Sequence, residues 1–286
     1  KQLTRFYKHK FDLFIVKKFF IQEAYIIAGF RTAVGKSKRG GFRFYRPDDL
    51  AVEVIKGLMA TVPQLEAKMV DDVIVGNAVP EAEQGLQFGR IISARALGFD
   101  APGVTVNRYC ASGLETIAIA TAKIRTGMAS CIIAGGTESM SLVPTAGWKT
   151  VPSYSIAKDD PDYYLSMGLT AEAVAKDYNI SREAQDEFSF QSHQKAITAI
   201  QSGHFKSGIL PINVEEVYVD AKGKRQKKNY VMDTDEGPRA DTSIEALAKL
   251  KPAFAQGGVV TAGNSSQTSD GAAFVIVMGE KMMNEL

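Results

Sequence analysis

Cysteine is scarce in this sequence: the 286 residues include only two, Cys110 and Cys131. Two cysteines exclude a disulfide framework and a cysteine-based metal cluster. Because stable disulfides belong to oxidising compartments, their absence favours a reducing, cytoplasmic location. Apolar residues make up 45% of the chain, which is ample for a buried core, so we expect a globular chain of one large or two modest domains.

Histidine is also rare, with only His9, His193 and His204. None of the three is spaced from another histidine or a carboxylate as metal ligands usually are. The sequence therefore predicts no metal site, and structural roles are the simpler interpretation of these side chains.

An excess of one charge is missing as well, since 34 basic and 32 acidic residues leave a net charge of +2. A near-neutral chain gives no electrostatic reason to expect a nucleic acid or a membrane as partner. The apolar stretch 11–16 is interrupted by Asp12 and is too short for a membrane span or a signal peptide. We predict that the basic and aromatic residues 1–22 form an extension outside the fold.

Residues 23–140 alternate short apolar runs with helix-like periodicity, which predicts a layered α/β core. Strands are predicted over 24–28, 73–75, 104–106 and 131–134, and helices over 47–59, 88–97 and 111–126. The character changes over 141–257, which holds most of the prolines and tyrosines and is predicted to be an inserted, loop-rich cap domain. Within it, Ser181 caps a predicted helix over 183–201, and the basic stretch 222–228 is predicted to be a hairpin tip. Residues 258–286 are predicted to return to the core sheet, with a strand over 272–277.

Cys110 lies where a predicted strand gives way to a predicted helix. One apolar face is predicted for that helix from the pattern of Leu114, Ile117, Ala118 and Ile124. Unpaired N–H groups at a helix start carry partial positive charge, which favours the thiolate, the nucleophilic form of cysteine. The side chain of Cys131 is predicted to be buried within a strand and to serve only in packing.

Three glycine-rich or polar segments carry weaker signals. Residues 29–37 end in Gly-Lys-Ser but have one residue too many for a phosphate loop, and Phe30 stands where a glycine is needed, so we predict an ordinary loop. Residues 135–140 are predicted to form a tight turn after a strand. The small polar residues 261–273 suit either an extended polar ligand or a solvated loop.

Taken together, these segments resemble the thiolase family, the acyl-CoA C-acyltransferases. The Asn-Arg-Tyr-Cys-Ala-Ser-Gly segment at 107–113 is similar to the family's active-cysteine segment. Five more segments match the family in order, namely 134–141, 166–172, 235–242, 247–254 and 260–264. The resemblance runs from about Glu23 to the end of the chain.

The resemblance implies that Cys110 is acylated by an acyl-CoA or 3-ketoacyl-CoA, with its backbone N–H in an oxyanion hole. It implies that four residues line the pantetheine channel, namely Met167, Phe254, Ala262 and Ser266. It also implies that Arg239 contacts the adenine end of coenzyme A, which is a substrate, so that no cofactor is needed. Ser166 favours the degradative 3-ketoacyl thiolases of fatty acid β-oxidation, and the family suggests a homodimer or homotetramer.

Three segments of the family's second half do not occur here: Asn-Glu-Ala-Phe, Gly-His-Pro and Cys-Gly-Gly. Their histidine activates the nucleophile and their cysteine moves protons at the carbanion. We therefore expect the N-terminal thiolase half with its cap domain, lacking the C-terminal half and exposing an apolar face toward it. The alternatives are a truncated coenzyme A-binding or assembly module without catalysis, and a ketoacyl synthase relative. Segments 134–140 and 247–254 favour thiolase over the latter.

Overall fold

The structure is a computed structural model that describes residues 22–286. The predicted extension, residues 1–22, lies outside the described residues except for Gln22. The side-chain amide of Gln22 donates a hydrogen bond of 2.8 Å to the carbonyl of Ile124, so Gln22 itself belongs to the fold and not to the predicted extension.

The described chain alternates strands and helices, which confirms the α/β fold class. The strands are β1 (Ala24–Arg31), β2 (Gly35–Lys36), β3 (Asp72–Gly76), β4 (Gly103–Val106), β5 (Cys131–Ser139), β6 (Ile212–Val219), β7 (Arg225–Met232) and β8 (Ser269–Gly279). The helices are α1 (Pro47–Ala60), α2 (Phe88–Leu97), α3 (Ser112–Arg125), α4 (Tyr154–Asp159), α5 (Met167–Asp177), α6 (Arg182–Gln201), α7 (Ile244–Ala248) and α8 (Glu280–Glu285).

The main sheet is mixed and has the strand order β1-β8-β5-β3-β4, with β2 paired to β8. β3 runs parallel to both β4 and β5, while β8 runs antiparallel to β5 and β1. β3, β4 and β5 therefore end at one edge of the sheet, which we call the carboxyl edge. β8 begins at this edge, because Asp270 pairs with Ser139. The opposite edge, where β5 begins at Cys131, is the amino edge.

The core has two layers because neighbouring side chains of a strand point to opposite faces of a sheet. One face of β5 buries Ile133 in a cluster with Leu50 and Ile55 of α1. The other face buries Ile132 against Ala120 and Ile124 of α3. The sheet thus lies between α1 and α2 on one side and α3 on the other.

The apolar face predicted for the helix after Cys110 is only partly correct. The residues of α3 that are fully buried are Thr116, Ala120 and Ile124, spaced four apart, whereas Leu114 is 72% exposed. Leu114 is two residues from Thr116, which places it on the far side of the helix.

Glycines end neither β1 nor β5, contrary to prediction. β1 continues through Gly29 to Arg31, and β5 continues through Gly135 and Gly136 to Ser139. A Cβ on Gly135 would collide with the carbonyl oxygen of Ala273 on β8. The tight turn predicted over 135–140 is therefore wrong: these glycines let strands approach closely within the sheet.

Residues 141–257, predicted to be an inserted cap domain and called the inserted region below, carry α4 to α7 and a hairpin in which β6 and β7 pair antiparallel. The side chain of Ser181 accepts from the amide of Ala184 at 3.2 Å, which confirms the predicted cap of α6. The hairpin is confirmed too, although its tip is 220–224 and the end of the basic stretch, residues 225–228, lies within β7. Arg31 joins the core to the inserted region through a two-bond ion pair with Asp235, at 2.7 and 2.9 Å. Within residues 22–286, no helix is long and apolar enough to cross a membrane.

Candidate active site

Cys110 lies at the carboxyl edge, in a loop of residues 107–111 between β4 and α3, and its side chain is exposed. We call this segment the Cys110 loop. α3 begins at Ser112, so the cysteine precedes the helix by two residues. Among the described residues, the backbone amide of Cys110 donates to no hydrogen-bond acceptor. It is therefore able to donate to a bound ligand.

The Cys110 loop is held in a tight turn by its own hydrogen bonds. The amide of Tyr109 donates to Oδ1 of Asn107 at 2.9 Å, and the hydroxyl of Ser112 donates to the carbonyl of Tyr109 at 2.6 Å. The amide of Arg108 donates to the same hydroxyl at 2.9 Å. Tyr109 has a φ of 46°, a left-handed conformation that costs a residue with a side chain about 1–3 kcal/mol. The turn directs the chain from the strand into the helix next to Cys110.

The end of β3 packs directly on the start of α3. A Cβ added to Gly76 would lie 2.8 Å from the carbonyl carbon of Ser112, so only glycine allows this approach. The next residue, Asn77, donates its backbone amide to the carbonyl of Val106 at 3.0 Å. The turn after β3, residues 77–84, therefore lies against the Cys110 loop; we call it the β3 turn.

Glu138, near the carboxyl end of β5, was not singled out by sequence reasoning. Its carboxylate accepts from the amide of Ala78 at 2.7 Å, from Nε2 of Gln84 at 2.7 Å and from Nδ2 of Asn77 at 3.1 Å. Burial raises the pKa of Glu138, and these hydrogen bonds, which favour the carboxylate, oppose that rise. The only sequence signal was its place in the segment 134–141.

The residues predicted to line a pantetheine channel occupy connected segments. Phe254 packs its ring on the backbone of Gly168, next to Met167 at the start of α5. The amide of Ala253 donates to the carbonyl of Val260 at 2.9 Å, which brings Phe254 beside the loop 259–268. That loop carries Ala262 and Ser266. The side chains of Met167, Phe254, Ala262 and Ser266 are all exposed.

The 259–268 loop leads into β8 and so reaches the carboxyl edge, the edge that carries Cys110. No hydrogen bond in the described part of the chain joins Cys110 to the five predicted ligand-binding residues. Their predicted role in binding coenzyme A thus remains a prediction.

Two carboxylates that sequence reasoning missed fix the shape of the 259–268 loop. Glu172 of α5 accepts from the amides of Val259 and Val260, each at 2.9 Å. Asp186 of α6, which is 2% exposed, accepts from Nδ2 of Asn264 at 3.0 Å. Asn264 in turn accepts from the amide of Thr261 at 2.7 Å. Glu172 and Asn264 belonged to matched segments, while Asp186 carried no sequence signal.

Arg239, the residue expected at the adenine end, is exposed and pairs with Asp241 through two bonds of 2.8 and 3.1 Å. Its backbone amide donates to Nδ1 of His193 on α6 at 3.1 Å. A Cβ on the nearby Gly237 would lie 2.9 Å from the side chain of Gln267. The segment of Arg239 therefore borders the 259–268 loop.

Cys131 shows the opposite environment, fully buried at the start of β5, as predicted. Burial, with a smaller contribution from the charge of Asp71, raises the pKa of its thiol to about 12. At neutral pH this thiol is protonated and shielded from reagents. In the described part of the chain, no group of three or more His, Cys, Asp or Glu side chains is placed to hold a metal ion.

Comparison with known proteins agrees with this arrangement. Residues 24–281 match the model of the thiolase N-terminal domain. The chain is 47% identical to a 3-ketoacyl-CoA thiolase of Bacillus subtilis, over 93% of this chain and 68% of that protein. It is 39% identical to the peroxisomal 3-ketoacyl-CoA thiolase A of Candida tropicalis, over 88% of this chain and 61% of that protein.

A solved structure is also similar. The crystal structure of the Bacillus anthracis acetyl-CoA acetyltransferase superposes with a TM-score of 0.80 and 32% identity, covering 94% of this chain and 68% of the other. The chain thus spans about two thirds of the length of the relatives it matches, and it belongs to the thiolase family.

Proposed function

We propose that this chain carries the acyl-accepting part of an acyl-CoA C-acyltransferase that cleaves 3-ketoacyl-CoA with coenzyme A, or runs the reverse condensation. The observation that carries the proposal is the placement of Cys110. It is an exposed cysteine whose backbone amide has no acceptor in the described part of the chain, held on a tight turn before α3. Its family relatives are named for this reaction.

In the proposed reaction, the thiolate of Cys110 attacks the C3 carbonyl carbon of a 3-ketoacyl-CoA. The bond between C2 and C3 breaks, the acyl group stays on sulfur as a thioester, and acetyl-CoA leaves after C2 takes a proton. The thiol of coenzyme A then attacks the thioester, gives up its proton, and restores the cysteine as a shortened acyl-CoA leaves. The free amide of Cys110 stabilises the charge that develops on the carbonyl oxygen.

Coenzyme A is proposed to act as substrate, with no separate cofactor. Its pantetheine arm would run past Met167, Phe254, Ala262 and Ser266, and its adenine end would reach Arg239. The support is that these side chains are exposed on adjoining segments, one of which enters the sheet at the carboxyl edge. The proton-moving groups of the family lie in segments absent from these 286 residues, so we expect acyl transfer to Cys110 with little turnover.

The setting of the reaction is proposed to be fatty acid β-oxidation in the cytoplasm. The names of the 3-ketoacyl-CoA thiolase relatives support the pathway, and two free cysteines suit a reducing compartment. A homodimer or homotetramer is proposed as well. β4 forms one side of the sheet as far as it is described and leads directly to Cys110, and such an edge strand is suited to pairing with another copy.

Acyl transfer can be measured by mixing the protein with acetyl-CoA and recording its intact mass over time. We expect one acetyl group per chain with release of coenzyme A, no acetylation of Cys110→Ser, and normal acetylation of Cys131→Ala. A folded protein that stays unacetylated, or a Cys110→Ser variant that is acetylated as readily, would contradict the proposal.

A further inference from the structure

Glu138 fixes the β3 turn from a neighbouring strand. It lies near the end of β5, and its carboxylate accepts hydrogen bonds from Ala78, Gln84 and Asn77 at 2.7, 2.7 and 3.1 Å. The amide of Ser139 donates to Oε1 of Gln84 at 2.6 Å, so both polar atoms of the glutamine side chain are hydrogen-bonded to β5. A partly buried carboxylate with three donors is a strong anchor, because charge-assisted hydrogen bonds are stronger than neutral ones.

The residue that Glu138 holds is also the one that holds the Cys110 loop. The amide of Ala78 donates to Glu138, and the carbonyl of Ala78 accepts from Nδ2 of Asn107 at 3.1 Å. Asn107 then accepts the amide of Tyr109 through its Oδ1 at 2.9 Å. One line of hydrogen bonds therefore runs from the carboxylate of Glu138 to the residue before Cys110.

This line ends on the strained residue of the loop. Tyr109 has a φ of 46°, a conformation that persists only where neighbouring groups hold it. Three hydrogen bonds fix it: its own amide donates to Asn107, and both the hydroxyl and the backbone amide of Ser112 donate to its carbonyl. If Asn107 loses its own hydrogen bond to Ala78, the bond from the amide of Tyr109 is weakened. The turn before Cys110 is then held mainly by Ser112 and is less firmly fixed.

We propose that Glu138 is a positioning residue for Cys110, acting through Ala78 and Asn107 to hold the turn at Tyr109. The proposal rests on the proposed role of Cys110 as the acyl acceptor. Glu138 does not touch the acyl group: it sets the geometry in which the sulfur meets it.

The rate of acetyl transfer to Cys110 from acetyl-CoA measures this role. Glu138→Ala is expected to slow transfer about tenfold or more, since small misplacements of a reacting group are costly. Glu138→Gln keeps one oxygen to accept from Ala78 and is expected to recover a large part of the rate. If Glu138→Ala does not fold, Glu138→Gln alone decides, through a rate below that of the wild type.

A double-mutant cycle separates positioning from general support of the fold. In a chain that already carries Asn107→Ala, the change Glu138→Ala is expected to slow transfer no further. Asp71→Asn is the matched control, because Asp71 accepts two backbone amides at the other end of the same strand, from Ser130 at 2.6 Å and Cys131 at 3.0 Å. We expect this variant to transfer acetyl groups at the wild-type rate.

The possible failures are distinguishable. A folded wild-type protein that accepts no acetyl group overturns the proposed function itself. Normal transfer by the Glu138 variants, with a wild type that is acetylated, overturns the positioning role alone. Fully additive effects of Asn107→Ala and Glu138→Ala would also overturn it, since the two residues would then act independently.

Discussion

The two edges of the main sheet each hold one cysteine and treat it in opposite ways. At the amino edge, Cys131 begins β5, is fully buried, and has a thiol pKa raised to about 12 by burial. At the carboxyl edge, Cys110 is exposed beside a helix start, and the side chains around it form hydrogen-bonded lines that fix its loop. The same residue type thus contributes to packing at one edge and is available for chemistry at the other. The two cysteines lie at opposite edges because Cys131 begins β5, whereas Cys110 follows the end of β4, and these two strands run in the same direction.

The most direct way to break this comparison is to ask which cysteine reacts. Iodoacetamide at neutral pH is expected to label Cys110 completely and to leave Cys131 unlabelled while the protein stays folded. The physical reason is that a buried, protonated thiol is neither accessible nor nucleophilic. Peptide mapping after labelling checks the result, with Cys110→Ser as the control that should take up no label. Labelling of Cys131 in the folded protein would show that the two environments are not distinct.

A second test disturbs the carboxyl edge through Gly76. The change Gly76→Ala puts a methyl group 2.8 Å from the carbonyl carbon of Ser112, so β3 and α3 must separate. We expect the free energy of unfolding to fall by about 3 kcal/mol, as for other overpacked buried sites. Urea denaturation measures the loss. Gly208→Ala is the control, because its added Cβ meets only the carbonyl of Phe205 at 3.9 Å and should change stability by less than about 1 kcal/mol. Equal stabilities would contradict the close approach.

A third test asks whether the shape of the 259–268 loop, at the same edge, matters for binding coenzyme A. Asp186→Ala removes one of the two acceptors of Nδ2 of Asn264, the residue that accepts the amide of Thr261; the other acceptor is the carbonyl of Val259. The substitution also removes the ion-pair partner of Arg182. Loss of a hydrogen bond to a buried charge destabilises the folded state by about 1.5–3 kcal/mol. Because the loop is then less well fixed for binding, we expect the dissociation constant of coenzyme A to rise about tenfold. Isothermal titration calorimetry with coenzyme A checks this. Glu183→Ala on the exposed start of the same helix is the control and should bind as the wild type does; unchanged affinity in Asp186→Ala would mean that loop shape does not matter.

The smallest effect concerns the amino edge. The thiol of Cys131 has a pKa raised from 9.0 to about 12, so between these values the unfolded chain loses its proton while the folded chain keeps it. Stability therefore falls as pH rises above about 9, by about 1.4 kcal/mol per pH unit from this group. Cys131→Ala should remove that part of the slope. Urea denaturation of both proteins between pH 8 and about 10 compares the slopes, and parallel curves would contradict the buried-thiol account.

Local patterns were enough to predict most of the core. α2 occupies the predicted residues 88–97, and the predicted strands at 73–75 and 104–106 lie within β3 and β4. These elements are short and strongly periodic, so a window of the sequence contains the information that defines them. The position of Cys110 between a strand and a helix start was predicted from the same kind of local pattern, while its exposure was not predicted.

The predictions were wrong or incomplete where the role of a residue depends on partners that are distant in the sequence. Gly135 was predicted to end a strand in a tight turn, but it lies within β5, where its lack of a side chain lets β8 approach. No local pattern reveals this contact. Glu138 receives hydrogen bonds from residues 54 to 61 positions away, so its anchoring role needed the fold. Leu114 matched a helical apolar face, yet the sheet packs against the face of Thr116 and Ala120.

The different reactivity of the two cysteines can be read in a single sample by peptide-level mass spectrometry of the wild-type protein after brief exposure to acetyl-CoA. We expect a thioester-bound acetyl group on Cys110 and an unmodified Cys131. An acetyl group on Cys131, or a folded protein in which Cys110 remains free, would contradict this expectation.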